Sequence, residues 1–274
     1  MKVLSIQDIS CYGQCSLTVA LPILSAYGIE TAILPSAVLS TNTSGFKDFT
    51  VCNLSDEMPK IIDHWKKEGI KFDCIYTGYI GDVNQFDYIL DCKKHLLKDG
   101  GVFFVDPAMA DYGKMYYGLG EGIVNGMRKI CAEADYIIPN VTEASFLASV
   151  PYLESQTESY IDTLIKKLKD LGAKNVIISG VEKDKDSKKY IGASFTDGCK
   201  KDTILKEKQE KSYHGTGDIF SSVVLANLLN NKSLHDSLDE ATDFVIDCIK
   251  QTKDDDSHWY GVKFEEVLLK KRKK

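Results

Sequence analysis

The strongest fold signal in the sequence is the run YIDTLIKKLKDLGAKNVIIS at residues 160–179. Its first part follows the 3.6-residue period of a helix, which predicts an amphipathic helix over residues 160–171. The apolar side of this helix consists of Ile161, Leu164, Ile165, Leu168 and Leu171. Gly172 is the residue type that commonly ends a helix, and the β-branched run Asn175–Ser179 predicts a buried strand. A helix therefore leads directly into a strand.

The same alternation continues towards the N-terminus. Further short β-branched runs predict buried strands at Val3–Ile6, Thr31–Pro35, Cys74–Thr77, Val102–Val105 and Tyr136–Ile138. Apolar periodicity predicts helices at Leu54–Glu68 and Phe86–Leu97. Strands that alternate with helices at this spacing indicate βαβ units. We therefore predict a three-layer α/β/α fold with a mostly parallel sheet. The sequence shows no linker or repeat, which predicts a single domain over residues 1–274.

Composition excludes several classes of protein. Of the 274 residues, 43% are hydrophobic and 27% are charged, which excludes disorder as the main state. The net charge of −6 disfavours a nucleic-acid or anionic membrane partner, and we interpret the basic end, Lys270–Lys274, as a solvated tail. No apolar run approaches the roughly 18 residues of a membrane span, and the N-terminus turns polar at Gln7. We predict a cytoplasmic protein.

The eight cysteines form no metal-binding pattern. They lie at positions 11, 15, 52, 74, 92, 131, 199 and 248, without a C-x-x-C pair or a nearby pair of histidines. A zinc site is therefore poorly supported, and we expect mostly reduced core thiols. Cys11 and Cys15 could form a reactive pair beside a site, but buried or incidental thiols are the favoured interpretation.

Polar residues and glycines follow the predicted strands. Ligands of open α/β sheets bind beyond the carboxyl ends of the strands, which here carry Asp8, Tyr79, Asp106, Asn140 and Gly180. The polar segment 182–211 predicts antiparallel strands with exposed turns. We expect the ligand site at these strand ends, and segment 182–211 is the candidate for a loop that closes over it.

The sharpest motif is His214-Gly215-Thr216-Gly217-Asp218, which is followed by an apolar helix. A glycine loop that enters a helix N-terminus offers unpaired N–H groups to an anion. A carboxylate in the first turn can accept a proton from a substrate hydroxyl during phosphoryl transfer. The alternative is an N-capping Asp without chemistry. The Walker A sequence G-x-x-x-x-G-K-[ST] is absent, which argues against a P-loop enzyme.

Gly215-Thr216-Gly217-Asp218 resembles the signature of the ribokinase-like (PfkB) kinases. Five further segments match the pyridoxal kinase branch of that family in order and cover nearly the whole chain: Val3–Gln7, Leu39–Phe46, Tyr76–Tyr79, Val105–Pro107 and Ala134–Asn140 with Glu143. The resemblance implies ATP-dependent phosphorylation of the 5′-hydroxymethyl group of vitamin B6 vitamers. It also implies Mg²⁺, a monovalent cation such as K⁺, and a homodimer. No separate sugar-kinase lid is expected, because residues 9–29 lead straight into a helix.

The resemblance also implies a role for each matching residue. Asp218 would be the catalytic base. The amides that hold the γ-phosphate would be those of Gly215, Thr216 and Gly217. The nucleotide contacts would be Asn140, Glu143, Ser179 and Gly215, and the metal or phosphate network would include Asp106 and Glu143. The substrate ring would be lined by Asp8, Thr43 and Tyr79. The chain departs from the family pattern at Asn42 and Ile138, which bears on the aldehyde-side contacts and on the nucleotide or monovalent-cation site.

Two other functions stay open. A hydroxymethylpyrimidine kinase shares the fold and the Asp and differs mainly in its ring contacts. A protein that binds nucleotide or vitamer without turnover could keep the same fold, although an intact Asp218 argues against it.

Overall fold

Strands and helices alternate along most of the chain in the computed structural model, which describes residues 1–43, 45–185, 188–198 and 200–271. The strands are β1 (Lys2–Ser10), β2 (Glu30–Leu39), β3 (Val51–Asn53), β4 (Phe72–Thr77), β5 (Leu97–Val105), β6 (Ala110–Asp111), β7 (Lys114–Met115), β8 (Tyr136–Ile137), β9 (Asn175–Lys185), β10 (Lys188–Asp197) and β11 (Lys200–Glu207). The helices are α1 (Leu17–Ala26), α2 (Met58–Lys67), α3 (Gln85–Leu96), α4 (Glu121–Cys131), α5 (Val141–Leu147), α6 (Glu158–Leu171), α7 (Thr216–Leu229), α8 (Leu234–Thr252) and α9 (Glu265–Lys271), with a 3₁₀ turn at Asp256–His258. Ser44, Cys199 and the end of the basic tail, residues 272–274, lie outside the described residues.

The main sheet has the strand order β11-β10-β9-β8-β5-β4-β1-β2-β3. Its six central strands, from β9 to β2, pair in parallel. Antiparallel pairs extend it at both ends, with β3 on β2 and with β10 and β11 beyond β9. This topology confirms the mostly parallel sheet, and β10 and β11 confirm the antiparallel strands predicted within segment 182–211.

Helices cover both faces of the sheet, which confirms the three-layer fold. One core lies under α2 to α6 and includes Leu4, Phe86 and Leu164; the other lies under α1, α7, α8 and α9 and includes Val3 and Val223. Successive residues of β1 therefore face opposite layers, as the period of a strand requires. Residues 11–16 join β1 to α1 without an inserted strand, in agreement with the absence of a sugar-kinase lid. The assignment of residues 1–274 to a single domain stays a prediction.

Local sequence explains where two of the helices begin and end. Helix α6 begins after Thr157, whose side chain accepts the Tyr160 N–H at 3.2 Å, and it ends at Gly172 with φ +125°. The predicted start of α2 at Leu54 was wrong, because the helix begins at Met58. Pro59 occupies the first turn, where its missing N–H costs nothing.

Burial separates the cysteines into two groups. Cys74, Cys92, Cys131 and Cys248 are buried, which confirms them as core thiols, whereas Cys11 and Cys52 are exposed and Cys15 is half-buried. Most of the described cysteines are therefore core thiols, as predicted, and Cys11 and Cys52 are the exposed exceptions. Among the described helices, none combines the length and the hydropathy that a membrane crossing requires.

Candidate active site

A cavity of about 520 Å³ lies at the carboxyl ends of the parallel strands. Its wall includes Asp8 near the end of β1, Asp106 directly after β5, Asn140 after β8 and Ser179 within β9. The glycine loop that leads into α7 completes the wall. Strand ends and a helix N-terminus therefore meet where ligands of such sheets bind.

The glycine loop has a conformation that depends on Gly215. This residue precedes α7 with φ +79°, in the left-handed region that favours glycine. A Cβ at this position would lie 1.8 Å from the carbonyl oxygen of Gln14. Thr216 fixes the other side of the turn, because its Oγ1 donates to the Tyr213 carbonyl at 3.0 Å. The loop therefore holds the first N–H groups of α7 towards the cavity in a fixed arrangement.

Asp218 lies in the first turn of α7 and lines the cavity. It accepts the backbone N–H of Ser16, which ties it to the β1–α1 loop. Burial raises the pKa of this carboxyl to about 8, and the neighbouring negative charge of Asp106 is the second cause. A carboxylate with a raised pKa is a stronger proton acceptor, which suits a general base.

Asp106 links the end of β5 to the same helix. Its Oδ2 accepts the Ser221 hydroxyl at 2.6 Å, and Ser221 lies one helical turn after Asp218. Burial raises the pKa of Asp106, and the Ser221 hydrogen bond opposes this effect. Asp106 and Asp218 are thus held side by side, where each disfavours the charge of the other in the absence of a cation.

Asn140 and Glu143 form a capping box at the start of α5. The Asn140 side chain accepts the Glu143 N–H at 2.9 Å, and Glu143 Oε2 accepts the Asn140 N–H at 2.8 Å. Glu143 Oε1 accepts the N–H of Met109 at 3.0 Å, so both carboxylate oxygens already hold backbone groups. Burial, followed by the charge of Asp106, raises the pKa of Glu143. These contacts fasten the loop after β5 to α5, which is a structural role that the motif alone did not show.

The buried carboxylates fit a hard cation that is shared with phosphate oxygens. Asp106, Glu143 and Asp218 gather on one wall, but the described residues contain no group of three or more His, Cys, Asp or Glu placed to hold a metal directly. Mg²⁺ usually takes one or two carboxylates and completes its shell with water and substrate phosphates. Asp106 would hold it directly, while Glu143 would act through water because its oxygens are engaged.

The cavity wall also contains Asp8, Thr43 and Tyr79. Asp8 is buried and accepts the Ser10 hydroxyl at 2.9 Å, and burial raises its pKa. Burial also raises the pKa of Tyr79 to about 12, with the charge of Asp8 as the second cause. A buried carboxyl group and a phenol with a raised pKa therefore line the same cavity.

All the residues singled out in the sequence line this one cavity: Asp8, Thr43, Tyr79, Asp106, Asn140, Glu143, Ser179, Gly215, Thr216, Gly217 and Asp218. Asn42 and Ile138 line it as well. Cys15 is also in the wall, where burial and the charges of Asp218 and Asp8 raise its pKa, so its thiol stays protonated. This environment disfavours the reactive pair considered for Cys11 and Cys15.

Sequence reasoning missed several polar residues of the cavity wall, among them Asp111, Tyr116, Lys208 and Lys211. Asp111 and Tyr116 come from the small hairpin of β6 and β7, which has no apolar periodicity. Lys208 pairs with Glu182 at 2.5 Å and Lys211 pairs with Asp256 at 2.8 Å. The clustering of lysines at the end of segment 182–211 is the one sequence signal that could have drawn attention to Lys208 and Lys211.

Comparisons with known proteins agree with this geometry. The family model for phosphomethylpyrimidine kinase matches residues 21–261. A pyridoxal kinase from Dictyostelium discoideum is 27% identical over 91% of this chain and 82% of its own length. A structure from Bacteroides thetaiotaomicron, described as a phosphomethylpyrimidine kinase in a crystal form with pyridoxal, is 35% identical and superposes with a TM-score of 0.92, covering 98% of this chain and 94% of the other. The pyridoxal kinase from Lactobacillus plantarum is 29% identical, with a TM-score of 0.88 over 98% and 95% of the two chains.

The family model thus spans β2 to α8, the carboxylates Asp106 and Glu143, and the glycine loop with Asp218, whereas β1 with Asp8 precedes the matched range. The structural match extends over nearly the full length of both chains. The chain therefore belongs to the phosphomethylpyrimidine kinase family, within the ribokinase-like (PfkB) superfamily of kinases.

Proposed function

We propose that the protein transfers the γ-phosphoryl group of ATP to the 5′-hydroxymethyl oxygen of vitamin B6 vitamers. The observation that carries this proposal is that Asp218, the glycine loop at the start of α7, and the side chains of Asp8, Thr43 and Tyr79 all line one cavity. The relative that shares 35% identity was crystallised with pyridoxal, which supports a pyridine ring as the acceptor.

In the proposed reaction Asp218 accepts the proton of the 5′-hydroxyl group. The oxygen forms a bond to the γ-phosphorus while the bond from that phosphorus to the β-phosphate oxygen breaks, and ADP leaves. The N–H groups at the start of α7 stabilise the charge on the transferred phosphoryl oxygens. Bound Mg²⁺ would supply a positive charge shared among the phosphate oxygens. Asn140, Glu143 and Ser179 shape the nucleotide side of the cavity.

Release of ADP tests the proposal directly. Mg-ATP is supplied with pyridoxal, pyridoxamine, pyridoxine or hydroxymethylpyrimidine, and each assay is repeated with Asp218→Ala. Turnover of B6 vitamers that is lost in the variant supports the proposal. Turnover of the pyrimidine alone would instead identify a hydroxymethylpyrimidine kinase. ATP binding without turnover of any acceptor would identify a non-catalytic binder.

The resemblance alone supports two further parts of the proposal, namely a homodimer and a monovalent cation such as K⁺, and the cytoplasmic location stays a prediction from the sequence. Light scattering of the purified protein tests the dimer, and replacing K⁺ by a tetraalkylammonium ion in the assay tests the cation.

Asp8 is expected to set the preference among vitamers. Its buried carboxylate can pair with a protonated ring nitrogen or an aminomethyl group, whereas a serine hydroxyl offers only a neutral hydrogen bond. Asp8→Ser should therefore lower kcat/KM for pyridoxamine and pyridoxine relative to pyridoxal, by about fivefold or more, the size of one charge-assisted contact. Ser10→Ala is the matched control, because it removes a partner of Asp8 but keeps the charge. Equal kcat/KM ratios in wild type and Asp8→Ser would contradict the assignment.

Gly217 is expected to matter for phosphate rather than for folding. A Cβ at this position meets nothing within 4 Å, and alanine is a better helix former than glycine. Gly217→Ala should therefore keep the Tm of the wild type or raise it slightly. The methyl group would occupy cavity space beside the N–H groups, so KM for ATP should rise by about tenfold, as expected for the loss of one close phosphate contact. An unchanged KM for ATP would show that phosphate does not approach this position.

A further inference from the structure

Four aromatic rings form a closed cluster beside the acceptor side of the cavity. They come from three separate parts of the chain: Tyr12 between β1 and α1, Phe46 between β2 and β3, and Trp259 with Tyr260 between α8 and α9. Ring centroids are 5.9 Å apart for Tyr12 and Phe46, 4.6 Å for Phe46 and Trp259, 6.1 Å for Trp259 and Tyr260, and 4.8 Å for Tyr260 and Tyr12. We call this set the ring cluster.

Two hydrogen bonds and one close contact reinforce the ring cluster. The Asn42 backbone N–H donates to the Tyr12 carbonyl at 3.1 Å, and the Asn42 side-chain amide donates to the Tyr260 carbonyl at 3.3 Å. Gly45 has φ +87°, and a Cβ there would lie 2.9 Å from the Trp259 ring, so the indole rests directly on this backbone. Trp259 and Tyr260, which we call the C-terminal segment, thus contact the loop after β2 at two separate points.

That loop carries part of the acceptor side of the cavity. Ser40 and Thr50 close its base, because the Ser40 N–H donates to the Thr50 carbonyl at 3.0 Å. Between them lie Asn42 and Thr43, which both line the cavity. The position of Thr43 therefore depends on contacts that the loop makes with residues more than 200 positions away along the chain.

Part of the ring cluster is exposed at the surface. Tyr12 and Trp259 are 52% and 48% exposed, so each of their contacts contributes less than a contact of a buried ring. The contacts nevertheless join three separate parts of the chain, and in this arrangement Asn42 and Thr43 line the cavity.

We propose that Trp259 and Tyr260 are positioning residues for the acceptor substrate. They hold residues 41–43 and 45–49, the described parts of the loop after β2, in the conformation that completes the acceptor side of the cavity, and so control affinity for the acceptor without touching it. The identity of the acceptor in this inference rests on the proposed function. None of the ring-cluster contacts described above involves Asn140, Ser179 or Gly217.

Trp259→Ala tests the inference by steady-state kinetics. KM for the acceptor should rise on the order of tenfold, because the ring contact with Phe46 and the packing on Gly45 are lost. KM for ATP and kcat should stay within about twofold, because none of the described contacts of Trp259 involves the phosphate loop. Trp259→Phe keeps a ring on Phe46 and should restore most of the acceptor KM. Leu269→Ala is the matched control, since Leu269 is an apolar side chain of α9 that is 59% exposed and lies outside the ring cluster. An acceptor KM that does not change in Trp259→Ala, or a kcat that falls instead, overturns the inference.

Hydrogen exchange separates this inference from the proposed function, because it needs no substrate. In the free protein, Trp259→Ala should increase amide exchange in a peptide that covers residues 41–49 by about tenfold, with exchange in β4 and β5 unchanged. Equal exchange of this peptide in the variant and in the wild type overturns the inference. If the wild-type protein phosphorylates no vitamer, the proposed function fails, and the exchange result alone decides whether the segment holds the loop.

Discussion

Asp218→Asn is expected to lower kcat for phosphoryl transfer by about 10²–10⁴-fold, the contribution of a positioned general base. Asn has nearly the size of Asp and can stay in the first turn of α7, but it cannot accept the proton of the acceptor hydroxyl. ADP release at saturating ATP and acceptor measures the loss. A kcat within tenfold of the wild-type value would show that another group takes the proton.

The same variant should be more stable than the wild type at alkaline pH, which excludes misfolding as the cause of its inactivity. The pKa of Asp218 is raised to about 8 in the folded protein, mainly by burial, from an ordinary value of 3.8. Between these two values the folded state binds more protons than the unfolded state, so stability falls as the pH rises. The amide side chain of the variant has no such proton to lose. The gain in Tm should therefore grow from pH 5 to pH 8.5, at about 2–4 °C for each kcal/mol in a chain of this size.

Gly215→Ala is expected to reduce kcat/KM for ATP by about 10²-fold, because small displacements of a catalytic loop are costly. The methyl group would lie 1.8 Å from the Gln14 carbonyl oxygen, and the backbone angle of +79° is itself unfavourable for alanine. The loop must shift, and with it the first N–H groups of α7. The expected result includes a lower Tm together with the loss of activity.

Gly69→Ala provides the matched control for Gly215→Ala. Gly69 has a similar φ of +66°, but a Cβ there meets nothing within 4 Å, and the residue lies just after α2. The change in Tm of Gly69→Ala therefore measures the cost of the backbone angle alone. If Gly215→Ala is as stable and as active as Gly69→Ala, the contact with Gln14 does not shape the phosphate loop.

Much of the fold could be predicted because its helices and strands have clear periodicity. The helix that ends at Gly172 is present within two residues of prediction, and the strand that follows begins at Asn175 as predicted but continues to Lys185 instead of ending at Ser179. The rule that ligands bind at the carboxyl ends of parallel strands then brought Asp8, Asp106 and Asn140 into one cavity. Their clustering follows from the topology, since every central strand ends at the same edge of the sheet.

The contacts that could not be predicted join parts of the chain without periodicity. Asn42 departs from the family pattern in sequence, and only the structure shows that its side chain binds the carbonyl of Tyr260. Tyr116 and Asp111 come from a hairpin of two-residue strands, which is too short to give a pattern. The engagement of both Glu143 oxygens by backbone groups also requires the position of Met109, which no local rule provides.

The two cores differ in how much of the chain must be synthesised before each can form. The core under α2 to α6 uses residues from Leu4 to Val181, so it can assemble while the ribosome is still translating the last third of the protein. The core on the other face joins Val19 and Ile23 of α1 to Val223 of α7 and Phe244 of α8. During synthesis this second face of the sheet stays uncovered until α7 and α8 have left the exit tunnel. A nascent or truncated chain that lacks these helices therefore presents an apolar sheet face, which makes it a substrate for chaperones and prone to aggregation.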